Sequence, residues 1–567
     1  MRPPCSLSPF LPLLCGVLIL AARGPVPPAT AQRAPLKGLV WTVPSDLNQA
    51  EAELLEMHRL GVEAIRTGLV LQERLLTLAD TLGLHFFQAL PLDNLSAGAL
   101  NDTLGYARRV LELAIERARN HPSARHFGLA RRSDTSDPPA CAFFQQLAER
   151  VHRLPNSRAY YLTAFIEADR CAGAVDFVLL DALNASDPAA LLRRWQAAQA
   201  SAPGPAGIGA LGLWVRSNAG TGLRDPHAPE TQARYLETHL ASLLADTTGL
   251  PLRAVFVYRR RDIRAAAPSP ARDLARPYQQ SYGLYAFDGA RRPAYEVVRG
   301  FYTGTQTVFA FPAGTTPVPA IPWTLLFGWL VFILIAGCYA FSPRFRDTVP
   351  RYFLAHGFYR ESIREGREVL LGSSVVLLIA MALCVGVLGS LFLETVRREA
   401  AFQFLLGVVP EPVQIVGVAL LAQPWMLVLL LGSFYALGLA LWTSLLSFAS
   451  RRRQPLIPGQ ALMVVLWARW PSPLLMAGAM VVPTLPESQA VGGMLLLAGA
   501  WVLATLSAIG RTLRDYAAIT ACSPYLVVAM AFANPLPALV LISLVTTLAT
   551  LDAGPTLAFF WHLATRS

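Results

Sequence analysis

Lysine is nearly missing from this chain: Lys37 is the single one among 48 basic residues, so the formal net charge of +11 is carried by arginine. Arginine at the expense of lysine reflects codon bias, and many of these arginines sit where membrane topology wants them. No basic stripe interleaved with aromatics stands out, which argues against nucleic acid as a partner. Charge of either sign is scarce as well. Charged residues make up 15% of the chain, hydrophobic ones 54%, and mean hydropathy is +0.41, too apolar for an ordinary soluble protein. Cysteine is sparse, seven in all, and none has the spacing of metal ligands, so neither a metal nor a cofactor is expected. Two lie in the first 15 residues, three in the apolar back half, and only Cys141 and Cys171 within residues 35–305. An oxidising compartment permits a disulfide between them, with two unpaired thiols as the alternative.

What is there divides in two. The 567 residues exceed one core. Residues 35–305 read as a soluble domain, and beyond about residue 320 the chain is mostly long apolar runs. At the start, Arg2, the apolar stretch Phe10–Ala22 and the small residues Ala29-Thr30-Ala31 form a signal-peptide pattern over residues 1–31. That places the front half outside the cytoplasm.

Within the front half, short apolar runs alternate with helically spaced ones. The expected strands are Gly38–Pro44, Glu63–Gly68, His85–Pro91, Arg125–Leu129, Ala159–Ala164, Asp176–Leu180, Ile208–Val215 and Leu252–Tyr258. Helices are expected over Leu47–Leu60, Leu71–Leu82, Ala99–Arg119, Ala142–Leu154, Pro188–Ala200 and Glu230–Ala245. Parallel strands need helical crossovers, so the pattern predicts an α/β fold, a (β/α)8 TIM barrel. A doubly wound sheet is the alternative, but no glycine-rich phosphate turn follows the first strand.

Three segments carry a resemblance: Gly61–Gly68 (GVEAIRTG), Asn120–Ser123 (NHPS) and Tyr282–Phe301 (YGLYAFDGARRPAYEVVRGF). Together they resemble retaining glycoside hydrolases with β-galactosidase-like barrels. In that family a Gly-Asn-Glu after the fourth strand supplies the acid/base, and a Thr-Glu-Phe-Gly-like segment on the seventh supplies the nucleophile. Here Ala130, Arg131 and Arg132 stand in the first set of places, and PAGIGALG puts Ala210 at the second. Retaining hydrolysis needs two carboxyls about 5–5.5 Å apart. Alanine cannot attack, and arginine stays protonated at any usable pH. Nothing acidic lies between Gly207 and Asn218. No catalytic residue of the usual kind is therefore expected.

Asp93, Glu167, Asp169, Asp181 and Asp262 follow strands at the face where barrels carry their sites. Each has a blander reading as a cap, an ion pair or loop solvation. Asp262, within YRRRD, reads as part of a charge run on a solvated loop. Trp41, Trp214 and Tyr258 are candidates to stack on sugar faces, against core or rim packing as the alternative. Arg66 ends the second strand, where the resemblance implies an arginine that braces the site. The candidate ligand-binding set is thus Trp41, Arg66, Asp93, Glu167, Asp181, Trp214 and Tyr258.

Residues 306–320 read as a linker, and six apolar segments follow: Ile321–Phe341, Val369–Leu393, Trp425–Phe448, Pro455–Val482, Val491–Ile509 and Pro524–Leu548. Each is long enough to cross a bilayer. Alternation puts Ser342–Glu368, an amphipathic segment, and two later loops in the cytoplasm. These hold eleven arginines against three in the external loops and tail, consistent with the positive-inside rule. Glu411–Ala422 is a surface-lying candidate. Residues 369–567 resemble the YIP family of five-helix membrane proteins through Gly459–Met476 and Leu506–Ala529, and that family's eukaryotic members interact with Rab-type GTPases. Arg469, a lone charge inside a span, marks either an interfacial break or a functional group.

The expectation is an integral, multi-pass protein of a bacterial plasma membrane. It would carry an extracytoplasmic, inactive glycoside-hydrolase-like barrel that binds or senses a glycan or serves as an assembly platform for protein partners. An active glycosidase with relocated carboxylates and a membrane structural or trafficking protein are the alternatives.

Overall fold

The computed structural model describes residues 34–534, apart from 200–203, 218, 246–251, 266–267, 269–272, 316–320, 368, 398–401, 404–405, 407–408 and 452–453. The leader at residues 1–31 and most of the expected sixth apolar segment lie outside these residues.

Eight parallel strands close into a barrel in chain order. They are β1 (Leu36–Val40), β2 (Ala64–Thr67), β3 (His85–Ala89), β4 (His126–Arg131), β5 (Arg158–Thr163), β6 (Phe177–Leu183), β7 (Ala206–Gly212) and β8 (Leu252–Val257). The helices around it are α1 (Leu47–Arg59), α2 (Glu73–Leu82), α3 (Ala97–Asp102), α4 (Leu104–Ala118), α5 (Pro138–Val151), α6 (Pro188–Ala198), α7 (Pro229–Leu244) and α8 (Pro293–Thr303). Local chemistry starts them. The Asp46 and Asp187 side chains accept from backbone N–H groups in the first turns of α1 and α6, and α5, α6 and α7 each begin with proline.

Two expectations shift, the helix over Ala99–Arg119 and the ends of two strands. The single helix over Ala99–Arg119 is two, separated at Thr103, whose hydroxyl donates to Leu100 O at 2.9 Å. The connection from β5 to β6 carries only a 3-10 turn at Ala172–Ala174. The fourth strand runs on through Arg131, and the seventh stops at Gly212, short of Trp214.

Side chains alternate between two cores, as the two-residue repeat of a strand requires. Val40, Ala64, Phe87, Tyr160, Leu162, Phe177, Leu179, Ala254 and Phe256 fill the barrel interior. Leu39, Ile65, Phe86, Tyr161, Leu180 and Val255 face outward under the helices. Interior space is rationed between large and small: a Cβ on Gly128 would lie 2.8 Å from the Tyr160 ring, and one on Gly38 2.3 Å from Phe256. Cys141 on α5 and Cys171 after β5 are joined in a disulfide that spans 30 residues.

The helical half contains α9 (Trp323–Phe341), α10 (Pro343–Leu354), α11 (His356–Arg364), α12 (Leu371–Val396), α13 (Glu411–Ala422), α14 (Pro424–Ser450), α15 (Pro458–Trp467), α16 (Pro471–Val481), α17 (Glu487–Thr520) and α18 (Pro524–Phe532). Among the described residues, four helices are long and apolar enough to cross a membrane: α9, α12, α14 and α17. The expected segment Pro455–Val482 is the pair α15 and α16, bent by 47° at the proline break read from the sequence, and counting that pair as one span gives five. Arg469 sits in the break. It is 2% exposed, and its guanidinium lies 5.4 Å from the Trp442 ring while Nη1 donates to Val465 O.

Candidate functional site

β2, β4, β6 and β8 each deliver polar side chains to the C-terminal mouth of the barrel. Arg66 alternates with Ala64 on β2, which points it inward, and it is 3% exposed. Its Nε has no partner, and among the described residues no side-chain hydrogen bond or ion pair forms to the guanidinium. Burial, with the charges of Arg131 and Arg132 and against the phenols of Tyr160 and Tyr258, brings Arg66 down to about 10. It stays a cation at neutral pH.

Arg131 and Arg132 follow on β4 and just beyond it. Arg131 Nη2 lies 2.5 Å from Asp93 Oδ2, and Arg132 Nε lies 2.5 Å from Asp181 Oδ2. Arg132 has φ 53°, a left-handed conformation uncommon outside glycine. Its N–H holds that turn by donating to Leu162 O at 2.7 Å. Burial works against its charge, but Asp181, Tyr258 and Tyr282 outweigh burial and raise its pKa. Asp181 is in direct register with Ala210 on the neighbouring strand. Asp181 therefore stands beside Ala210 on the neighbouring strand, with Arg132 as its counterion.

Tyr258 follows β8. Its hydroxyl donates to Gln280 Oε1 at 2.9 Å, and Arg259 Nη1 donates back to that hydroxyl at 3.2 Å. Burial pushes the phenol up, but Arg259, Arg132, Arg66 and Arg131 together hold it below its ordinary range. Arg259 also donates to Thr42 Oγ1 and, at 3.4 Å, to Gln280 Oε1. Its hydrogen-bond acceptors are neutral oxygens.

Arg66, Asp93, Asp181 and Tyr258 thus gather at the mouth. Trp214 stands beside it, half-buried and stacked on His227 at 3.9 Å, its backbone N–H donating to Asn184 Oδ1. Trp41 and Glu167 are elsewhere. Trp41 is 2% exposed, its Nε1 donating to Glu53 Oε2 at 2.7 Å, and it walls a side groove of about 190 Å³ between the segments after β1 and β8. Glu167 is an exposed rim residue 3.5 Å from Arg194 on α6. Asp169 is held under the helices by Tyr161 and Trp195, each donating at 2.8 Å, where burial raises its pKa.

The YRRRD run is not a solvated loop. Arg259, Arg260 and Asp262 are 5%, 7% and 4% exposed. Arg260 pairs with Glu53 and Glu56 on α1 at 2.7 and 2.6 Å. Asp262 accepts two bonds from Arg292, at 3.0 and 2.6 Å. Arg260 and Asp262 are buried because each meets an opposite charge that is distant in sequence. Arg259, Tyr160 and Gln280 belong to the site and were missed by sequence reasoning; the adjacent arginine triplet at the end of the eighth strand was the available signal. Among the described residues no His, Cys, Asp and Glu cluster could hold a metal.

No protein-family model and no curated protein matches this chain. Solved structures similar to it include a GH2 β-galacturonidase from Eisenbergiella tayi bound to galacturonate (18% identity, TM-score 0.41, 49% of this chain and 53% of that one). A β-glucuronidase from Bacteroides uniformis is similar at 20% identity and TM-score 0.40, over 48% of this chain and 38% of that one. One from Ruminococcus gnavus is similar at 16% and 0.41, over 47% and 49%. The chain spans about half or less of the length of these structures, and at such identity the likeness adds nothing to the barrel already described.

Proposed function

We propose that this chain is a membrane-held barrel that binds a saccharide at its mouth without cleaving it. The observation that carries this reading is the Arg132–Asp181 pair beside Ala210. Hydrolysis with retention needs one carboxyl free to attack and a second free to give up a proton. At this mouth both Asp93 and Asp181 are neutralised by arginine, and a guanidinium can serve neither role. Four apolar helices support the membrane-held part, with the charge bias of the loops setting the barrel outside. The Cys141–Cys171 disulfide suits an oxidising exterior. The YIP-like resemblance of the helical half adds a protein partner as a second expectation for that part.

The test is the full chain in detergent, assayed on a broad panel of aryl glycosides and titrated with oligosaccharides. Binding without turnover is expected. Turnover abolished by Asp181→Asn would replace this reading with that of a glycosidase whose carboxylates have moved, and absence of binding to every saccharide would remove it.

A further inference from the structure

The cations at the mouth outnumber the acids. Arg66, Arg131, Arg132 and Arg259 all bear on Tyr258, while Asp93 and Asp181 are each taken by one guanidinium, those of Arg131 and Arg132. Arg259 is left with neutral hydrogen-bond acceptors. Arg66 has none among the described residues, although it is almost wholly buried. The Tyr160 hydroxyl beneath it is spent on Phe87 O at 3.0 Å. A buried guanidinium without a counterion costs several kcal/mol, and native proteins rarely keep one idle. Its planar fork matches a carboxylate, sulfate or phosphate, and such charge-assisted bonds strengthen where water is excluded.

We propose that the mouth takes an oxyanion carried by its ligand (a carboxylate, sulfate or phosphate group), seated on Arg66 and flanked by Arg259 and the Tyr258 hydroxyl. The ligand would bring the negative charge that a mouth with Ala210 at its seventh strand does not supply. This deepens the proposed function and rests on the mouth being a binding site. Trp214, half-exposed and backed by His227, offers a face for the uncharged part of a sugar.

The experiment is calorimetric titration of the full chain in detergent at low salt with galactose, galactose 6-sulfate, glucuronate and inorganic sulfate. At least one acidic sugar is expected to bind ten-fold or more tightly than galactose, with affinity falling as salt rises. Arg66→Met is expected to lose that preference while its melting temperature holds or rises, because the substitution removes an unpaired buried charge. Arg259→Gln is expected to weaken the acidic sugar in the same direction. Anion binding is also expected to raise the pH at which Tyr258 ionises, read by ultraviolet difference titration against Tyr258→Phe. Inorganic sulfate binding as tightly as the acidic sugars supports the anion seat and assigns it to a free anion, which sinks saccharide recognition alone. Galactose binding as well as either acidic sugar, with Arg66→Met unchanged, overturns the anion seat and leaves the saccharide reading standing. Binding of neither acidic sugar nor sulfate overturns it too.

Discussion

Arg132 and Asp181 meet across the barrel mouth with Nε 2.5 Å from Oδ2, and the carboxylate is the more buried member of the two. Asp181 lies in register with Ala210, and Arg132 is held in a left-handed turn by its own backbone. Truncating one partner strands the other. Asp181→Ala is expected to destabilise the barrel by about 1–3 kcal/mol, less than for a fully buried pair because Arg132 is partly exposed. Asp181→Ala with Arg132→Ala is expected to be less harmful than the sum of the singles. Thermal denaturation of the three variants measures the difference, and strict additivity would show that the pair is not coupled.

The Cys141–Cys171 bridge ties the start of α5 to the segment after β5, where no helix packs the crossover. Closing a 30-residue loop in the unfolded chain gives roughly 3–4 kcal/mol in the chain-entropy model. Cys171→Ser is expected to lose a stability of that order. A reductant should lower the melting temperature of the native chain and leave that of Cys171→Ser where it is.

His126 lies inside the barrel, stacked on Phe87 at 4.1 Å. Burial first, then the charges of His85, Arg253 and Arg158, bring its pKa down to about 3. The folded value is depressed, so the unfolded chain takes up the proton first. Stability from this group is whole above about pH 6.5 and declines by about 1.4 kcal/mol per unit as pH falls toward the folded value. His126→Phe keeps the stack and has no proton to bind. Its melting temperature is expected to fall less than the native chain's between pH 6.5 and pH 4, and parallel curves would refute the assignment.

Gly128 leaves no room for a methyl group under the Tyr160 ring, its Cβ position being 2.8 Å from Cζ. Gly128→Ala is expected to cost about 1–3 kcal/mol by overpacking. Combined with Tyr160→Leu, the cost should fall short of the sum of the two, since the smaller side chain removes the ring that the methyl meets.

Much of the barrel was legible because its strands are short apolar runs at regular intervals, and all eight expected runs overlap a strand. The ends were harder. Arg131 pairs in the sheet with Leu162, so polar residues closed β4 although the apolar pattern stopped at Leu129. The break at Thr103 was hidden because both flanking helices carry apolar residues at compatible spacing. The site was legible in half. The lack of acids near Ala210 could be read directly, and so could the arginines at 131 and 132. Their carboxylate partners could not, since Asp93 and Asp181 lie tens of residues away and pairing is set by the closure of the barrel. Arg259 and Asp262 were misread for the same reason: a local run of charges says nothing about partners on distant elements.

The alignment of Asp181 with Ala210 bears on how this protein could change. Under the proposed function, a glutamate installed at 210 would bring a second anion beside Asp181, and both would compete for the one guanidinium of Arg132. Replacing Arg132 alone would remove the counterion of Asp181 yet provide no attacking group opposite. Neither single exchange improves on the present arrangement, so regaining bond cleavage requires simultaneous changes on two strands, an evolutionary valley rather than a slope.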